Sequence, residues 1–137
     1  MATFTKYQNG VEVLVTTANV STDVFKFALT NTAPNVATHT TLADATEIAA
    51  GNGYTAGGAT VAVTGSETSG TYTLTQDATV TITASGGAIA EFRYVVFYDD
   101  TVAGDPLISY FDYGSAVNMA DGETFDIGGA ANLFTVA

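Results

Sequence analysis

The chain contains no cysteine and no tryptophan, and it has one histidine and only three basic residues, Lys6, Lys26 and Arg93. Without cysteine, neither a disulfide framework nor a thiolate metal site can form. Against those three cations stand 14 acids, for a formal net charge of −11. Nucleic-acid binding needs clustered Lys and Arg to neutralise phosphates, and three scattered cations do not supply them. An anionic membrane surface repels such a chain for the same reason. No apolar run approaches the roughly 20 residues of a membrane span. The opening "MATFTKYQNG" lacks a basic segment followed by an apolar one, so it does not read as a secretory signal. Synthesis and folding in a cytoplasm are expected.

What is present is a single domain's worth of strand-forming sequence. The 137 residues suit one domain, and a hydrophobic share of 47% argues against general disorder. In "VFKFALT" (24–30), Phe25, Phe27 and Leu29 alternate with smaller or polar residues, so they face a core. "ATVAVTG" (59–65) and "ATVTITA" (78–84) place Val61 and Val63, then Val80 and Ile82, on one face and mainly threonine on the other. "AEFRYVVFYDD" (90–100) is apolar on both faces: Phe92, Tyr94, Val96 and Tyr98 against Arg93, Val95 and Phe97. It reads as a central strand or as one whose outer face meets another protein. "PLISYFDYG" (106–114) behaves similarly, and "ETFDIG" (123–128) and "NLFTVA" (132–137) complete the strand signals. Turns are expected at Gly65 to Gly70 and at 85–87, 99–106 and 120–122.

Two segments resist that pattern. In "TLADATEIAA" (41–50), Thr41 with Asp44 three places on resembles a capping box, which predicts one or two helical turns. In "YQNGVEVLVTTANVST" (7–22), Val11, Leu14 and Val15 fit a helical stripe, whereas Val11, Val13 and Val15 fit a strand. Valine content favours the strand. The expected architecture is an all-β antiparallel sandwich, Ig-like or jelly-roll-like, with at most one or two short helices. It occupies 24–137, behind an arm, first strand or short helix at 1–23.

Few residues carry chemistry. In "EIAAGNGYTAGG" (47–58) the glycines run Gly51-x-Gly53-x-x-x-Gly57, one place too long for a dinucleotide fingerprint, and a strand follows where a helix is needed. No lysine lies nearby for a P-loop. The glycines therefore read as turn formers, with Tyr54 as a packing anchor. His39 sits in "ATHTT" without a serine elbow, which speaks against Ser-His-Asp catalysis. Asp99, Asp100 and Asp105 share one turn and offer oxygen for calcium, but they do not match a calcium-loop spacing. A solvated turn is the simpler reading. Neither a catalytic residue, a cofactor nor a metal is assigned.

Four stretches, "FKFALTNTAP" (25–34), "LADATEIAAGNGYTAGG" (42–58), "TASGGAIAEFRYVVFYDDT" (83–101) and "DPLISYFDYGSAVNMADGETF" (105–125), resemble a group of small structural proteins of tailed bacteriophages. The resemblance begins at about residue 24; before it, relatives carry a more helix-like segment where this chain has "NGVEVLV". It implies a virion component, a capsid decoration (cement) protein on the capsid exterior. Its expected partners are the major capsid protein and two further copies of itself, with no nucleic acid and no membrane. Alternatives are a tail or neck protein, or a calcium-assisted glycan-binding or adhesion module on the virion. The expected contact residues are Phe4, Lys6 and Tyr7 of the arm, ordering on the capsid or on a neighbouring copy. Arg93, Val95 and Phe97 join them from the apolar strand.

Overall fold

A computed structural model describes residues 4–128 and 132–136. Its core lies between a five-stranded antiparallel sheet and a second layer made of three strands and a separate two-stranded ribbon. The large sheet runs in the order β1 (Thr5–Lys6), β8 (Leu107–Met119), β7 (Ile89–Asp99), β2 (Phe25–Thr30), β3 (Ala59–Val61). Facing it are β10 (Asn132–Val136), β5 (Thr71–Gln76) and β4 (Val63–Thr68), with β6 (Val80–Thr83) paired to β9 (Thr124–Ile127). The expected antiparallel β-sandwich with two short helices is the observed fold.

The alternation read at 59–65 is right in its faces, since Val61 is buried and Ala62 and Thr64 are exposed. The segment is nevertheless two strands. The chain leaves the large sheet after Val61, where β3 pairs with β2, and enters the facing layer at Val63, where β4 pairs with β5. The turn expected across 65–70 shrinks to Ser69 and Gly70, because β4 continues to Thr68. With φ of 51° and 85°, those two residues form the tight positive-φ connection that a twisted hairpin favours. Its second strand, "TYTLTQ", escapes sequence reading because only Leu74 and Gln76 are buried along it.

Residues 8–16 form a helix, α1 (Gln8–Thr16), which decides between the strand and the helical stripe that the sequence left open. Packing overrides propensity here. Gly10 lies so close to β8 that a Cβ would stand 2.7 Å from the Ile108 carbonyl oxygen. That approach lets Val11, Val13 and Leu14 reach the sandwich core. The other helix, α2 (Leu42–Ala45), is a single turn where one or two were expected: the Asp44 carboxylate accepts Thr40 N at 2.9 Å and Thr41 N at 3.2 Å. Those backbone bonds hold the Asp44 carboxyl below its usual range.

Strand β7 is buried on both sides within this one chain. Val95 and Phe97 enter the main core with Phe25, Phe27 and Ile108. Val96 and Tyr98 face the other way, into a smaller core with Tyr7, Ala28, Ala45 and Leu107, over which Val36 and Leu42 pack. The expected alternation also breaks at Arg93. The register against β8 shifts between Phe92 and Tyr94, so Phe92 joins Val95 and Phe97 rather than Val96.

Candidate functional site

The glycine-rich loop is built around Tyr54 and Glu47. Tyr54 is buried, and its hydroxyl accepts Leu29 N at 3.0 Å while donating to the Glu47 carboxylate. Glu47 also accepts Gly57 N at 2.7 Å, and Tyr98 donates its hydroxyl to the Gly57 carbonyl. Burial foremost, then the bond to Glu47, raises the Tyr54 phenol far above its ordinary value. Gly53 and Gly58 carry positive φ, and each lies against backbone: a Cβ at Gly58 would stand 2.7 Å from the Phe27 carbonyl carbon. The loop thus spends its donors and its glycines on packing against β2 and β6. Tyr54→Phe should cost about 1–3 kcal/mol, since it strands the buried Leu29 N–H. Urea unfolding reads this directly, and a change below about 0.5 kcal/mol would contradict the anchor role.

The acidic turn does not assemble a calcium ligand set. Asp99 is wholly buried, while Asp100 pairs with Lys26 at 3.4 Å. Asp105 occupies a left-handed position with φ of 50°. Among the described residues, no group of three or more His, Cys, Asp or Glu side chains is placed to hold a metal ion. His39 closes a local turn, its Nδ1 accepting Asn35 N at 3.3 Å. Among the described residues, no helix is long and apolar enough to cross a membrane.

The expected contact residues are not brought together on one surface. Val95 and Phe97 are core residues, 1% and 0% exposed, so they cannot form an outer contact face of the folded chain. Tyr7 is equally buried. The arm does add a strand to a sheet edge, but the sheet is its own: Thr5 pairs with Tyr110 and Lys6 with Ser109. Phe4 is half-buried and stacks on Phe27, with ring centroids 5.7 Å apart. These bonds replace the expected docking of residues 4–7 on another molecule. Arg93 is partly exposed and grips Asp112 with two bonds, Nε to Oδ1 at 2.8 Å and Nη2 to Oδ2 at 3.2 Å. That pair raises the guanidinium and lowers the Asp112 carboxyl from their ordinary values.

Lys6 stays exposed and joins the two layers. Its Nζ donates to Thr135 O of β10 at 3.3 Å and lies 5.7 Å from the Phe134 ring centroid. A lysine on an edge strand also discourages further strand pairing there. Beside it, Leu14 and Val15 of α1, Tyr72 of β5 and Val136 of β10 line a mostly apolar groove. Val15 is 70% exposed, more than any other large apolar side chain among the described residues. Sequence reading missed this groove because its four side chains come from three separate elements. Sequence reading placed Val15 in the α1 stripe with Val11 and Leu14, and only the folded chain shows it exposed.

Searches against protein-family models, curated proteins and solved structures find no match to this chain.

Proposed function

We propose that the chain is a structural protein of a virion, a capsid decoration protein that binds the outer capsid surface and stabilises the particle. It performs no catalysis in this reading. The observation that carries it is the apolar groove of Leu14, Val15, Tyr72 and Val136 on a molecule of net charge −11. Val15 standing exposed over this depression offers a small apolar anchor for a contact. Copies carrying this charge repel one another in solution. In this reading the groove's occupant is the capsid shell, and the expected trimer assembles only once the copies are held there. Multivalency then supports the reading, since one 14.0 kDa domain offers a modest footprint and three bound together gain avidity.

The test is Val15→Glu. Because Val15 is exposed, the variant should fold with nearly unchanged stability, and its occupancy on capsids lacking the protein should fall by about tenfold or more. Tyr113→Ser, at the exposed Tyr113 of β8, should leave occupancy unchanged. Full occupancy by Val15→Glu, measured by co-sedimentation, would remove the groove as the contact.

A further inference from the structure

The segment joining α1 to β2 is strapped to the turn between β7 and β8. Asp100 N donates to Val24 O at 2.8 Å, and Val24 N donates to Thr101 Oγ1 at 2.8 Å. Beside this strap lies Asp99, wholly buried. Its Oδ1 accepts Thr101 N at 2.9 Å and Val102 N at 3.2 Å. Its Oδ2 is buried and receives no donor. Asp23 directly precedes Val24, so the strap's two hydrogen bonds bring it beside Asp99, and its Oδ2 accepts Asn19 N at 3.0 Å. An ionised carboxylate has no hydrogen to give. Two ionised groups here would leave Asp99 Oδ2 unsatisfied and set like charges together. One retained proton, donated across the pair, removes both costs.

We propose that Asp23 and Asp99 share one proton and form a pH-sensitive latch, which holds the 19–24 strap on the β7–β8 turn and releases it when the proton leaves. The other charged groups around the turn are engaged elsewhere. Lys26 of β2 is drawn to Asp100, and Asp105 lies on the same turn with its carboxyl raised by burial and by Asp100. Burial first, then the hydrogen bond with Asp23, pushes the Asp99 carboxyl up to about 7. Asp23 is lowered, chiefly by its hydrogen bond to Asp99. The two titrate as a unit. An unfolded chain gives up both protons near pH ~4, whereas the folded pair keeps one until about pH 7. The unfolded state binds fewer protons across that window, so stability falls as pH rises from about 4 to about 7 and then levels off.

The experiment compares the full chain with its Asp99→Asn variant, both in a His39→Gln background so that the imidazole does not contribute. Asparagine keeps the acceptor for Thr101 N and Val102 N and offers a permanent donor to Asp23. Amide exchange at Val24 and Asp100, corrected for its intrinsic pH dependence, is followed from about pH 5 to about pH 8. In the parent it should quicken at least about tenfold, since each pH unit below about 7 contributes up to a factor of about ten, and in Asp99→Asn by less than about twofold. An equal rise in both, or none in the parent, overturns the latch. If Asp99→Asn does not fold, Asp23→Asn decides by the same readout: a flat profile supports the latch and a parent-like rise overturns it. Protection of the parent at about pH 8 by calcium chloride, absent in Asp99→Asn, would assign the pair to a cation and overturn the shared proton.

Discussion

Phe97→Asp should leave the chain unfolded at neutral pH. Phe97 is fully buried, and its ring lies 5.4 Å from that of Phe25 and 5.7 Å from that of Phe27. Removing a buried phenylalanine side chain costs about 3–5 kcal/mol before any charge is considered. A carboxylate in its place adds a further desolvation penalty of several kcal/mol. Together these match or exceed the roughly 5–15 kcal/mol that holds a typical domain together. Circular dichroism should show the strand signal lost near pH 7. A folded variant that merely loses particle binding would return Phe97 to an outer surface, where its sequence neighbours alone would place it.

Gly58→Ala should cost about 3–4 kcal/mol, large for a single added methyl group. Two effects combine. Gly58 has φ of 83°, which an L side chain rarely adopts, and its Cβ would overlap the Phe27 carbonyl. The obstacle is backbone of β2 rather than the far end of a flexible side chain, so the loop or the strand must move. Gly70→Ala separates the two effects. Gly70 has nearly the same φ, 85°, with nothing within 4 Å of the added atom. It should cost only about 1 kcal/mol. Equal losses in the two variants, read by urea unfolding, would show that conformation alone matters and that the close approach to β2 does not.

The same two residues show how far sequence carried the fold. Phe97 was legible as an apolar position because alternation along 90–100 places it opposite Val96. What covers each face was not legible. The smaller core on the Val96 side depends on Tyr7, Ala45, Val36 and Leu42, which lie 50 or more residues away in the chain. Without that cover, an apolar second face looks like a site for another protein. The Asp44 capping box was visible because its geometry is local. Helix α1 was only half visible, because its stripe and its valines point to different structures and the approach of Gly10 to β8 decides between them. The β5 strand was not visible, because its threonines and tyrosine are half-buried on both faces. The candidate contact surface was the least legible part. Lys6 was singled out and remains exposed, bonded to Thr135 of β10, whereas Leu14, Val15, Tyr72 and Val136 meet only through the docking of α1 beside β5 and β10.

Electron cryomicroscopy of tailed-phage particles assembled in the presence of this chain tests the proposed role most directly. A decoration protein gives density for this sandwich on the outer shell at local threefold positions, with α1 and β10 turned toward the capsid and Val15 covered. Density confined to the tail or neck, or a shell-bound sandwich whose α1 and β10 face solvent, would contradict it.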